Sequence, residues 1–507
     1  MKFLFTNLWL ADGAGTPLRK CRVLTDGGTI AAVDPELPNS AADRSVDLGG
    51  RILAPGFLDV HGHSDLALAA RPEAFGKVTQ GITTEIMGNC GLSAFPLNER
   101  NREHLQELWA QYGVALGWSS FTEWRTMLTA NRPAIRAEAL VGHNTLRAAV
   151  AGYGDEKLSK RRLDEMITLL DRELTAGALG LSSGLLYVPG KFAAPGELVE
   201  LLRVVARHDK IYATHLRSEG TELLEALDET IAVAREAGLK KLHISHFKTA
   251  KAANWEKLDA ALERLEAARA AGIRVTVDRY PYTESMTQLS VILPGKAGDL
   301  DDSALSRLLA NPEARARVTA KLAASRAAGF WETVRLISTR ASSFGRPDGR
   351  TITELALERK LDPAMLVTEL LAADASGTTA AFRGMSEENM RRILALPFCM
   401  MGSDENARPA DDSIGRGHPR GFGSAARFLR LRLDAGSPAE AAVRQMTGLA
   451  AETFGLADRG RIAPGLKADL TAFDPDEVDG TADYASPHTP AAGVLFTVRG
   501  GEFVFRY

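Results

Sequence analysis

Residues 52–63 read "ILAPGFLDVHGH", and this stretch decides how the chain is parsed. An apolar run passes Gly56 and ends on alternating polar residues. The two-residue period of a β-strand places Asp59, His61 and His63 on one face, so the two imidazoles project together. Neutral imidazole nitrogens at that spacing suit a divalent metal, although His-x-His also occurs as a plain polar strand end. What gives the stretch weight is its recurrence as a pattern. Short apolar segments ending in Gly, His, Asn or Asp follow at "GITTEIMGNC", "AEALVGH", "GALGLSSG", "KIYATH", "KKLHISH", "IRVTVDRY" and "LPFCMMGSD". Between them lie Glu/Arg/Ala/Leu-rich segments, such as 159–176 and 222–237, with apolar residues three and four apart as in a helix. Alternating strand and helix predicts a parallel sheet, and eight such units predict an α/β fold of the (β/α)8 barrel type.

The rhythm breaks in two places. More than a hundred residues separate Asp278 from the last strand, and 286–345 ("LPGKAGDLDDSALSRLLANPEARARV" included) reads as an inserted small helical subdomain over the barrel mouth. The ends, 1–52 and 459–507, are strand-like with Gly, Pro and Asp turns, and are expected to form one discontinuous small β-sandwich beside the 53–458 barrel.

With 507 residues, 45% hydrophobic and 25% charged, the composition is that of a globular protein, and the net charge of −3 gives no electrostatic reason to expect nucleic acid or an acidic membrane surface as partner. No apolar run is long enough to span a bilayer. Three scattered cysteines, Cys21, Cys90 and Cys399, make no disulfide framework, so a reducing, cytoplasmic setting is expected.

Barrel enzymes gather their reactive groups at the C-terminal ends of the strands. Here those ends carry His61 and His63, Cys90, His215, His246 and Asp404. Each has an ordinary explanation by itself; landing together at five strand ends points to a metal site. His243 lies an odd number of residues from His246 and should face the helices. His143, in "LVGHNTLR", could orient a ligand, contact substrate or serve packing.

These segments also carry a resemblance. "APGFLDVHGHSD", a late strand-end "SD" and split β-rich ends resemble the amidohydrolase superfamily. "TQGITTEIMGNCGLS", "GALGLSSGLLYVPG", "THLRSEG", "ISHFK", "DRYPYT" and "GHPRGFG" are similar to its N-acyl-D-amino-acid deacylase (D-aminoacylase) branch. The resemblance implies hydrolysis of the linear amide of an N-acyl-D-amino acid, with Zn2+ held tightly by Cys90, His215 and His246 and a second, weaker divalent position at His61 and His63. It implies Asp404 as general base and then acid, and Arg420 as a clamp on the substrate carboxylate. Lys248, on the nominal face of His246, could add charge. Tyr280 and Tyr282 both offer hydroxyls, with the choice between them open, and Tyr187 follows strand four near the acyl or side-chain pocket. Superfamily members that bridge two metals with a carboxylated lysine carry it on strand four. "GALGLSSG" has none, which argues against a cyclic-amide hydrolase of the hydantoinase kind. Retention of every expected ligand argues against an inactive interaction protein. The chain departs from the branch at Phe247 and in the longer "SDENARPADDSIGRGHPRG", where Glu405 and Arg408 are expected at the substrate rim.

Overall fold

The computed structural model describes residues 1–327, 329–347 and 349–507. Eight parallel strands carry the site: β1 (Phe57–Asp59), β2 (Ile82–Met87), β3 (Arg136–Ala139, continued by Val141–Gly142), β4 (Gly180–Gly184), β5 (Ile211–His215), β6 (Lys241–Ile244), β7 (Arg274–Arg279) and β8 (Cys399–Met401). β2, β4 and β5 are buried at every position. Helices cover one face and the strands' own side chains fill the other, so the polar residues of these strands are buried along with the apolar ones.

Sequence neighbours pair in parallel: Phe57 with Ile82, Thr84 with Arg136, Ser182 with Ala213, Leu242 with Val275, and Val277 with Cys399. β3 changes partner at Leu140: its first half pairs with β2 and Val141–Gly142 with β4. β1 and β8 also meet, through Val60 N donating to Met401 O at 3.3 Å and a parallel bridge between Gly62 and Glu405. The helices stop where their caps dictate. Ser159 accepts from Arg162 N at the start of Lys160–Thr175, which buries Met166, Leu170 and Leu174. Leu223–Glu236 buries Leu223, Leu227 and Ile231 in the same helical spacing.

The two chain ends share one eight-stranded sheet, in which Leu470–Phe473 pairs antiparallel with Ile52–Pro55. Phe5, Phe496 and Phe503 pack between its strands, with ring centroids 5.3–6.3 Å apart. Ile52–Pro55 leads directly into β1, so this sheet anchors the strand that bears His61 and His63.

The segment between β7 and β8 differs from its expected form. It contains an antiparallel sheet, with Thr379–Arg383 between Glu284–Gln288 and Val334–Ser338, as well as four helices from Asp302–Ala310 to Pro363–Ala373. It has its own apolar core around Leu289, Leu305, Leu336, Leu366 and Leu370. A purely helical insertion ending at residue 345 is therefore corrected to a mixed unit reaching Arg383. Its strands are five residues long and read "ESMTQ", "VRLIS" and "TAAFR". Strands so short and poor in β-branched residues leave little trace in a sequence. Among the described residues, no helix is long and apolar enough to cross a membrane.

Candidate metal centre

Six side chains meet where the strands end. One nitrogen, sulfur or oxygen from each of His61, His63, Cys90 and Asp404 lies within 4.8 Å of the others, and the same holds for Cys90, His215 and His246. Cys90 belongs to both groups. Its Sγ is 3.3 Å from His61 Nε2 and 3.3 Å from His246 Nε2. Asp404 Oδ1 stands 3.0 Å from His63 Nε2 and 3.5 Å from His61 Nε2.

The backbone is bent to present these groups. Cys90, His246 and Asp404 have φ of 51°, 34° and 53°, values that side-chain-bearing residues seldom adopt. Such strain persists only where the surroundings enforce it, and it concentrates at functional sites. Gly62, between the two histidines, meets a different constraint: a Cβ there would lie 1.8 Å from Glu85 Oε1. Beneath it, buried Lys77 donates to Asp59 Oδ2 at 2.6 Å, Ser403 Oγ at 2.8 Å and Glu405 O at 2.9 Å, tying β1 to the turn after β8.

A set of carboxylates fixes the rings. Asp278 Oδ2 is 3.0 Å from His61 Nδ1 and 2.8 Å from His243 Nε2, and its Oδ1 accepts from His246 N. Glu219 Oε1 is 2.8 Å from His246 Nδ1 and takes Lys248 Nζ as well. Both histidines thus point Nε2 at the shared thiol. Burial alone would raise the Cys90 thiol, but the positive charge of His61 and His246 beside it holds it well below its usual range, as thiolate. Asp404 is likewise held well below the carboxylate range: burial opposes ionisation, and the Arg420 guanidinium and His63 overcome it. Thiolate and imidazole are good zinc donors, and rings held through their far nitrogens are the usual support for such ligands.

The remaining expected residues divide. Arg420 opens the helix Arg420–Asp434, with Nη1 2.8 Å from Asp404 Oδ2 and its guanidinium 4.6 Å above the Tyr280 ring. The Tyr280 hydroxyl is buried, without a hydrogen-bond partner among the described residues, and Tyr280 lines the same cavity. Lys248 lines it too. Tyr187 packs against the His215 ring at 4.9 Å, and its hydroxyl is 3.1 Å from Thr287 Oγ1. Tyr282 turns away. It packs edge-on against His418 and lines a separate pocket of about 190 Å³. His143 pairs with Glu197 at 2.8 Å, outside the cavity. His243 stays off the cluster, bonded to Thr276 and Asp278.

Arg408 differs from the rim position expected of it, whereas Glu405, although buried, lines the cavity. Arg408 is buried and donates to Glu405 Oε1, Ile414 O and Gly415 O, bracing the loop from behind. Asp278, Glu219 and His418 went unread in the sequence although each lies inside a segment quoted for another residue: "DRYPYT", "THLRSEG" and "GHPRGFG". His418 Nδ1 accepts from Arg420 N at 3.0 Å, and its other nitrogen is 2.8 Å from the Tyr484 hydroxyl.

The cavity over these groups has a volume of about 1580 Å³ and is walled on its far side by the insertion. That is ample for a small amide substrate.

Known proteins resemble this chain along nearly its whole length. The model of an amidohydrolase family matches residues 44–505. An N-acyl-D-glutamate deacylase of Alcaligenes xylosoxydans xylosoxydans is 35% identical over 98% of this chain and 92% of its own length. A D-aminoacylase of the same organism is 34% identical over 96% and 90%. Among solved structures, an N-acyl-D-glutamate deacylase from Bordetella bronchiseptica, in complex with zinc and a phosphonate mimic of the tetrahedral intermediate, superposes with a TM-score of 0.83. It is 32% identical, and the match covers 99% of this chain and 96% of that one.

Proposed function

Because the chain belongs to the amidohydrolase family, we propose that it is a zinc-dependent deacylase of N-acyl-D-amino acids on a (β/α)8 barrel, releasing a carboxylic acid and a D-amino acid. The observation that carries this reading is Cys90, whose thiolate is common to both ligand groups while β4, "GLSSG", has no lysine to bridge them. Cys90, His215 and His246 would hold the tight zinc, and His61 and His63 a weaker second divalent ion. Zinc bound there supplies Lewis-acid polarisation of the amide carbonyl and lowers the pKa of water toward about 7.

The chain's own residues do the rest. Asp404, anionic and beside His61 and His63, takes a proton from the attacking water and delivers it to the departing nitrogen. Arg420, Lys248 and the unpartnered Tyr280 hydroxyl hold the substrate carboxylate, the guanidinium in two-pronged fashion. Tyr187 packs over His215 and shapes the wall beside the scissile bond. Preference for the D-series is taken from the relatives' activities. Paired N-acetyl-D- and N-acetyl-L-amino acids supplied to zinc-loaded protein test it: turnover of D-substrates alone is expected, and turnover of L-substrates alone would overturn the proposal.

A further inference from the structure

The strand Glu284–Gln288, the first of the insertion, runs along the cavity wall from the carboxylate clamp toward the helix Asp302–Ala310. Met286 O accepts from Arg420 Nη2 at 3.4 Å, Thr287 meets Tyr187, and Gln288 Nε2 donates to Asp302 Oδ2 at 3.2 Å. Gln288 lies two residues beyond Met286, roughly 7 Å along an extended strand. The far end of the cavity therefore begins one side-chain length from the clamp.

That end is rich in acceptors. Four cations of the wall are matched: Lys191 with Asp299, Lys248 with Glu219, Arg383 with Glu284 and Arg420 with Asp404; Lys251 and Arg326 also line the cavity. Asp302, buried and lining the cavity, has no ion-pair partner among the described residues; Asp301 and Glu107 add negative charge beside it, opposed by the Arg340 guanidinium, which is itself paired with Asp374. Asp301 is accounted for as the cap of the helix Asp302–Ala310, accepting from Ala304 N; Asp302 has no part in that cap. Independently, the Tyr153 hydroxyl is buried in the same wall without a hydrogen-bond partner among the described residues. His104, packed on the Tyr153 ring at 3.9 Å, is kept neutral by burial and brings no charge. Burial also raises Asp302 to about 6, so it is poised to ionise fully when a cation arrives.

We propose that Asp302, Tyr153 and Gln288 form the side-chain subsite for a basic D-amino acid, with an ammonium or guanidinium docking against the Asp302 carboxylate. An ammonium has three donors and no acceptor. Asp302 Oδ1, Tyr153 Oη and Gln288 Oε1 are three acceptors with no donor among the described residues, while Asp302 Oδ2 takes Gln288 Nε2. The inference deepens the deacylase reading and rests on it. It separates this chain from relatives that act on N-acyl-D-glutamate, whose side chain carries the opposite charge. Arg326, which donates to Ile292 O and stacks on Phe330, lines the same cavity and is the group a glutamate side chain would need.

The test measures kcat/KM for N-acetyl-D-lysine, N-acetyl-D-methionine and N-acetyl-D-glutamate with wild type, Asp302→Asn and Tyr153→Phe. The wild type should favour lysine over glutamate by about 10- to 100-fold, the scale of a hydrogen-bonded charge. Asp302→Asn should lower the lysine-to-methionine ratio about tenfold, mostly through KM, with Tyr153→Phe moving it less in the same direction. A wild type that favours glutamate, or a ratio untouched by both variants, overturns the subsite. If none of the three amides is cleaved, the deacylase reading fails separately. The subsite is then read by thermal shift, where N-acetyl-D-lysine must raise the Tm of wild type more than that of Asp302→Asn, and equal shifts overturn it.

Discussion

Asp278 shows how much of the centre depends on a residue that touches no ligand-binding face of the cavity. One carboxylate oxygen receives His61 and His243, and the other takes the backbone of His246, so a single side chain sets two of the rings that face Cys90. Replacing it with Asn keeps the shape but removes the charge that fixes the His61 tautomer. Asp278→Asn should weaken divalent-metal affinity about 10- to 100-fold, the usual cost of losing such a supporting carboxylate. Equilibrium dialysis against zinc checks this, and an unchanged affinity would sink the orienting role. At this scale the sequence was partly legible. His61, His63, Cys90, His215, His246 and Asp404 stood out because each closes an apolar run. Asp278 and Glu219 did not, because a carboxylate that supports a ring is identified only by what folds against it. Tyr280 and Tyr282 were indistinguishable, since the choice depends on how the chain turns after β7.

The loop from Asp404 to His418 is the element in which charge does structural work. Glu405 is buried, accepts Arg408 through Oε1 and receives His418 N through Oε2 at 2.9 Å, which in turn positions Arg420. Burial works to raise its carboxyl, but Arg408 and Arg420 outweigh it and bring it from 4.5 down to about 2. A group depressed in the fold stabilises above its unfolded pKa and loses that contribution as pH falls through its folded pKa. The window here runs from about 4.5 to about 2, and the contribution is on the order of 3 kcal/mol. Urea unfolding of wild type and Glu405→Gln at stepped pH values tests this. Across the upper part of that window the variant should lose less stability than wild type, and parallel curves would remove Glu405 from the account. The rim was expected for Glu405 and Arg408 because the loop that carries them is longer than in the branch it resembles. Their mutual pairing is what lets both go inside.

At the scale of the molecule, strand rhythm carried the parallel strands and their reactive ends, while the insertion was only half visible. Its helices are periodic, but its three short strands find partners far apart in sequence, Glu284 with Arg383 across 99 residues, and no local pattern encodes such pairing. The consequence is functional, because the insertion's first strand forms a wall of the cavity. Met286 O meets Arg420, Thr287 meets Tyr187, Glu284 O meets His418, and Lys191 pairs with Asp299. A substrate carboxylate held by Arg420 would therefore load this strand directly, and ordering the strand should propagate to Asp302–Ala310 through Gln288 and Asp302. Amide hydrogen exchange followed with and without a phosphonate analogue of the substrate reads that coupling. Slower exchange is expected in Glu284–Gln288 and the first turn of Asp302–Ala310, with the terminal sheet unchanged. Protection confined to the strand ends around Cys90 and Asp404 would mean that the insertion merely borders the site. Protection spread equally over the terminal sheet would mean a global gain in stability from ligand binding rather than an ordered wall.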